Sequence, residues 1–273
     1  MADRPPDPIQ PSSQTTHGQT THGQTTHGQK VRIQKVLSHH GLASRRQAES
    51  WIRGGRVQVN GQVAQVGQAV DPQVDRIAVD GVLLPTAPRA LYILLHKPLG
   101  VVSTCHDPQG RPTVLHCLPP HLAQGQGLHP VGRLDTNSTG ALLLSNDGDF
   151  TFRLTHPRHP LAKTYEVWVQ GHPPPAILHR WRSGIVLDGK PTLPATVTIL
   201  AQTSQQTCLQ IQLWEGRNRQ IRRVAAQLGY PVIALHRTAI GSLDLQSLAP
   251  RQWRFLQWQE QESFARLEPR NPQ

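Results

Sequence analysis

From residue 91 to about residue 258, apolar residues come in short runs cut off by Gly or Pro: LYILL ahead of HKPLG, ALLL between STG and SNDG, YEVWV ahead of QGHPPP. Runs of about four to eight such residues bounded by turn formers suit buried strands, whereas a helix needs a longer pattern of period about 3.6. Two segments offer that period. One lies around Ala176 to Trp181. The other is NRQIRRVAAQLGYP, where Ile221, Val224, Ala225 and Leu228 share a face, Asn218 is placed to cap the start, and Gly229-Tyr230-Pro231 ends it. Many strands with few helices predict an α+β domain at 91–260 with a largely antiparallel sheet.

Upstream the pattern changes. In VRIQKVLSHHGLASRRQAESWIRGG, Ile33, Val36 and Leu37 sit at helical spacing and His40-Gly41 makes a turn. A second helix starts at Ser44 with Gln47 three residues on, a capping-box pattern. Ala48, Trp51 and Ile52 give it an apolar face, and Gly54-Gly55 stops it. RVQVNGQVA then alternates about Asn60-Gly61, and DRIAVDGVLL repeats the device at Asp80-Gly81. Both pairs favour the type I′ turn of a tight hairpin. Helix, helix and short strands make a compact module at 30–84, joined to the larger domain through PTAPRA. Residues 1–29 contain TTHGQ three times over, have no apolar face to bury, and read as a disordered tail. Residues 261–273 read as a polar C-terminal tail.

The chain of 273 residues carries a formal net charge of +11 and a sequence pI near 10.6. Such an excess calls for a polyanionic partner. No apolar run approaches the roughly 20 residues that span a bilayer. MADRPPDPIQPSSQTT lacks the apolar centre of a secretory signal. Cys105, Cys117 and Cys208 form no CxxC pair and fit a reduced compartment. The expectation is therefore a cytoplasmic, monomeric protein that binds nucleic acid and no membrane. Lys30, Arg32, Lys35, Arg45, Arg46, Arg53 and Arg56 face only Glu49 across positions 30–60. Arg45 and Arg46 fall in the first turn of the second helix, where the dipole favours negative charge. A phosphate docked on the free N–H groups and both guanidinium groups accounts for that placement; an ordinary solvated face is the alternative. The stretch from Val31 to about Gly81 resembles an S4 domain, a small RNA-binding module. The likeness implies that Arg32, Lys35, Arg45, Arg46, Arg53 and Arg56 contact structured RNA.

Three segments of the larger domain could carry chemistry together. GRLD (132–135) leads into Ser138-Thr139-Gly140, KTYEV (163–167) sets Tyr165 in a strand, and EGRNRQIRR (215–223) crowds arginines at the opening of the clear helix. Alone, an Asp in a loop is structural as a rule, and so is a Tyr in a strand. HKPLGVVSTCHDPQGRPTV, HPVGRLDTNSTGALLLSNDG, RLTHPRHPLAKTYEVWVQG and EGRNRQIRRVAAQLGYPVIALHRTAIG together resemble the pseudouridine synthases. The branch in question acts on ribosomal RNA and carries an N-terminal S4 domain. DPQGRPTV and Asn137 are most similar to the enzymes of the large subunit. The resemblance implies a synthase domain with a central cleft, a catalytic Asp135, an active-site Tyr165, and Arg222 as the basic partner of Asp135. Arg133, Arg217, Arg219 and Arg223 are then expected on phosphates. His96 stands where the family has Asn before Lys-Pro, and Arg251 stands near a usual Gly.

Isomerising uridine breaks the N1–C1′ bond and rejoins the base through C5, with no redox change and no added group, so no cofactor and no metal are expected. One ionised carboxylate beside the ribose can attack covalently or remove a sugar proton, and the sequence leaves both open. A guanidinium opposite it holds the charge and fixes its orientation. The target base must be turned out of its stack, and an aromatic ring can hold it there. His156 and His159 lack further ligands for zinc. DPQGRPTV has no Walker pattern, and the His and paired-Cys signature of a deaminase is missing. The partner is ribosomal RNA or an assembling ribosomal subunit. The other reading is a non-catalytic rRNA-binding or assembly factor, which has no use for an Asp135–Arg222 pair.

Overall fold

The computed structural model describes residues 30–266, so the expected N-terminal tail and the last residues of the C-terminal one lie outside the described residues. The first unit runs β1 (Val31–Arg32), α1 (Ile33–His39), α2 (Arg45–Arg53), β2 (Val57–Val59), β3 (Gln62–Val63), β4 (Ala69–Val70), β5 (Ile77–Val79) and β6 (Val82–Leu83). Ser44 caps α2 by accepting from the Gln47 N–H. Both expected hairpins form, β2–β3 at Asn60-Gly61 and β5–β6 at Asp80-Gly81, with φ of 52° and 82°, and 51° and 80°. Two positive φ values in succession are what a type I′ turn demands, and Asn-Gly and Asp-Gly meet that demand at least cost. Ile33, Leu37, Ala48, Ile52, Val57 and Ile77 close the core between helices and strands.

The second unit begins with β7 (Tyr92–Lys97), a short 3-10 turn, α3 (Pro120–Ala123), β8 (His129–Val131), β9 (Thr139–Ser145) and α4 (Gly148–Thr155). It continues through β10 (Lys163–Gln170), α5 (Pro175–Ser183), β11 (Val186–Leu187), β12 (Lys190–Pro191), β13 (Thr196–Gln202) and β14 (Gln206–Leu213). α6 (Gln220–Gln227), β15 (Val232–Ile240), β16 (Leu243–Asp244), β17 (Trp253–Phe255) and α7 (Trp258–Ala265) complete it. One sheet takes the order β13-β14-β10-β15-β9-β7-β17, with β16 on β15 and β8 on β9. Every pairing in it is antiparallel except β9 with β15. β7 and β9 are covered on both faces: Leu94, Ala141 and Leu143 meet α4 and α7, while Ile93, Leu95, Leu142 and Leu144 meet Val114, Leu118 and Leu122. That is why LYILL and ALLL read as continuous apolar runs rather than alternating ones. In the other half, Trp181 of α5 and Ile221, Val224 and Ala225 of α6 pack on Val167, Val169, Leu209 and Ile211.

After Lys97-Pro98 the chain forms no named strand, only a single bridge, Val102 to Thr113. Two local expectations need correction. The polar C-terminal tail begins later than residue 261, because α7 continues to Ala265 and buries Phe264 against Phe150 and Leu161. Asn218 does not cap α6; Arg219 holds the cap position.

β8 and β15 share one edge of β9, β8 opposite Leu143–Ser145 and β15 opposite Thr139–Gly140. Between them the backbone ladder stops. The buried Arg237 side chain reaches across and donates from Nε to the Ala141 carbonyl at 2.6 Å. The strands diverge there, and the gap opens into a cleft.

The two units touch. Lys35 pairs with Asp149 at 2.8 Å, and His39 Nδ1 lies 2.9 Å from the Asn146 carbonyl. Gly41 and Gly127, both at positive φ, face each other so closely that a Cβ on either would meet the other segment's backbone at 2.6 Å. Buried Asn146 also holds the linker, accepting from Leu91 N–H and donating to the Arg89 carbonyl.

Candidate active site

Asp135 sits in the loop between β8 and β9, and that loop is fixed from three sides. The Ser103 hydroxyl lies 2.8 Å from the Leu134 carbonyl and 3.1 Å from its N–H. Lys97, fully buried beneath, donates to the carbonyls of Ser138 at 2.8 Å and Pro98 at 3.0 Å. Burial pushes its ammonium down to about 8. From above, Arg222 Nη2 donates to the Asn137 carbonyl at 2.6 Å and the Ser138 hydroxyl at 3.2 Å. The Ser138 N–H closes the turn on the Asp135 carbonyl. A loop so held presents its carboxylate in one orientation.

Two guanidinium groups reach that carboxylate. Arg219 Nη1 donates to Oδ2 at 3.2 Å, and Arg222 Nε stands 3.9 Å from the same oxygen. The sequence pairs Asp135 with Arg222 and sends Arg219 to a phosphate. In the structure Arg222 lies at ion-pair distance while Arg219 makes the hydrogen bond. The cause is backbone conformation: Arg219 has φ of 48°, in the left-handed region, which folds its side chain back over the loop toward Asp135 and Asn137. Buried Gln220 supports the turn, accepting from the Arg217 N–H and donating to Glu215. Arg222 is the more buried of the two, and its Nε has no hydrogen-bond partner. Burial first, and Arg219 second, lower its pKa, while Asp135 opposes both.

Tyr165 is half-buried on β10, directly across the ladder from Arg237 of β15. It lines the same cleft as Asp135, Arg219 and Arg222, together with Lys163 and Arg237, in a space of about 1680 Å³. Drug-sized ligands occupy roughly 300–1,000 Å³, so a nucleotide with its flanking backbone has room. A second, smaller cavity of about 540 Å³ lies on the other side of the loop, and Asp135 borders both.

The remaining sequence-predicted contacts divide. Arg45, Arg46 and Arg133 are exposed and make no hydrogen bond or ion pair among the described residues. The others have partners within the chain. Arg32 donates to the Gly67 carbonyl, Lys35 pairs with Asp149, and Arg53 lies 3.8 Å from Glu49. Arg56 grips Asp80 and lies over the Trp51 ring at 4.7 Å. Arg217 is held by Glu215 and the carbonyls of Lys190 and Pro191, and Arg223 by Asp188. Among the described residues no cluster of His, Cys, Asp or Glu could hold a metal. Lys97, Ser103 and Arg237 escaped the sequence reading. Lys97 lay in a Lys-Pro break that reads as a turn, and nothing local marks Ser103 or Arg237.

The family model for RNA pseudouridylate synthase matches residues 91–227, and that for the S4 domain matches 31–75. This chain belongs to the RNA pseudouridylate synthase family. An RNA pseudouridine synthase of Mycobacterium tuberculosis is 40% identical over 82% of this chain and 89% of its own length. Ribosomal large subunit pseudouridine synthase B of Bacillus subtilis is 40% identical over 78% of this chain and 86% of its own. A crystal structure of a pseudouridylate synthase superposes with a TM-score of 0.62 at 32% identity, covering 87% of this chain and all of that one. As a pseudouridine synthase with an N-terminal S4 domain, the chain has the α+β architecture, the largely antiparallel sheet and the cleft that the sequence implied.

Proposed function

We propose that this synthase converts a uridine of large-subunit ribosomal RNA to pseudouridine, with Asp135 as the carboxylate that acts on the ribose. The observation that carries the reading is the meeting of Asp135 with Arg219 and Arg222 at the wall of a cleft that also holds Tyr165. The carboxylate is paired and aimed; the cleft admits an everted base; Tyr165 offers a ring for the base to lie against, worth about 1–3 kcal/mol. Arg45, Arg46 and Arg133 remain available for phosphates, and the Arg45 guanidinium comes up beside Gly148 of the catalytic domain. The large subunit is favoured by the name of the Bacillus subtilis relative, which spans most of this chain. The substrate is the rRNA or an assembling subunit, met by a monomer in the cytoplasm; among the described residues no helix is long and apolar enough to cross a membrane.

Mapping pseudouridines in rRNA from cells with and without the protein tests this reading. The expected result is one or more large-subunit positions that revert to uridine in its absence. An unchanged large-subunit map contradicts it.

A further inference from the structure

On the cleft floor, Lys163 and Tyr165 are two residues apart on β10 and so project from one face of the sheet. Tyr165 lies directly across from Arg237, and a register shift between Thr164 and Tyr165 brings β15 past Lys163 with Ile240 opposite it. Three side chains, Lys163, Tyr165 and Arg237, thus form one contiguous patch facing the space into which a base would turn. Lys163 is half-buried in the cleft wall, and among the described residues it has no ion pair and no side-chain hydrogen bond, although a lysine drawn away from water is as a rule paired. Its ordinary reason for being there, a structural bridge, is missing.

We propose that Lys163 is the base that removes the C5 proton of uracil after the base has been rejoined to the sugar. The proposal rests on the isomerase reading above and adds a residue to it. The N1–C1′ bond breaks with its electron pair leaving on N1. C5 of the turned base then bonds to C1′, using the C5–C6 double bond, and N1–C6 becomes double. C5 now carries both the sugar and its original hydrogen. The neutral amine of Lys163 takes that proton, the freed pair restores C5–C6, and the N1–C6 pair returns to N1. N1 takes a proton from the ammonium, and the amine is regenerated. Nothing is oxidised and no co-reactant is consumed.

The surroundings bring the free amine closer to hand than in an ordinary lysine. Burial first, and the Arg237 guanidinium second, push Lys163 down to about 8. A lysine desolvated beside a second cation is a recognised way to obtain a usable free amine. The other charged and titratable groups lining the cleft are Asp135 from the β8–β9 loop, Arg219 and Arg222 from the start of α6, and His156, Arg158 and His159 after α4, with Arg133 at one rim and the Glu215–Arg217 pair at another. Asp135 is already matched by Arg219 and Arg222, and Glu215 by Arg217.

The test is single-turnover release of tritium from rRNA labelled at uridine C5, with Lys163→Met, Lys163→Arg and the wild type. Arginine keeps the positive charge but stays protonated, so a role in gripping a carbonyl or phosphate survives Lys163→Arg and a role as base does not. The expected result is a fall of about 10²–10⁴-fold in both variants, with rRNA binding and melting temperature close to those of the wild type. For the wild type, which carries no folding question, the rate should climb with pH through about 8 and then level off. Release by Lys163→Arg near the wild-type rate, or a wild-type rate that is flat or falling through that range, overturns the proposal and leaves the isomerase reading intact. A wild-type protein that releases no label overturns that reading, and the proposal with it.

Discussion

Arg219 and Arg222 differ in what they hold. Arg219 meets Asp135 from solvent, at 44% side-chain exposure, where an ion pair is screened and contributes little. Arg222, at 11%, spans the Asn137 carbonyl and the Ser138 hydroxyl, with its Nε 3.9 Å from the Asp135 carboxylate. Arg222→Lys supplies one charge but not that planar grip. Steady-state kinetics should show kcat falling about 10²-fold with rRNA affinity little changed, against roughly threefold to tenfold for Arg219→Ala. A larger loss at Arg219 than at Arg222 would reverse the assignment. Both arginines were visible in EGRNRQIRR, but their roles could not be separated there. What separates them is the left-handed backbone at Arg219, which a lone arginine codon does not announce. Asp135 and Tyr165, by contrast, sit in motifs whose residues are local and whose family likeness is specific.

At the scale of elements, the legible parts were those whose residues set their own backbone. Asn60-Gly61 and Asp80-Gly81 dictate their turns without help from the rest of the chain. Ser44 likewise caps α2 from within its own segment. The start of α6 was not legible, because its turn is held by Gln220 bonding back to Glu215 and Arg217. Nor was α7: its polar sequence hides a single Phe264 that docks in a core assembled from distant segments. The clamp on the Asp135 loop belongs here too, since Lys97 links the end of β7 to the start of β9. Its folded pKa of about 8 lies below the ordinary 10.5, so the folded protein sheds a proton that the unfolded chain still holds between those values. Stability therefore rises with pH across that window and is lost as pH falls through about 8. Thermal melts of the wild type and Lys97→Met across the window should show the weaker rise in the variant. Equal slopes would mean that Lys97 is not the buried charge it is taken to be here.

For the whole molecule, the question is how an RNA-binding module serves a cleft in another domain. The reciprocal approach of Gly41 and Gly127 fixes the two units against each other, with Lys35–Asp149 and His39–Asn146 alongside. Gly127→Ala places a Cβ at 2.6 Å from the His39 carbonyl, in a backbone region that also disfavours alanine. The docking should loosen: faster proteolysis in the 85–90 linker, and rRNA Kd raised about tenfold, or about 1.4 kcal/mol. Turnover at saturating RNA should be little changed. Unaltered proteolysis and binding would show the contact to be incidental.

Everything in the functional account returns to one carboxylate. Purified wild-type protein and Asp135→Asn should be compared for tritium release from C5-labelled large-subunit rRNA. The account predicts release by the wild type and none by Asp135→Asn, with RNA bound about equally by both. Continued release without the Asp135 carboxylate would contradict it.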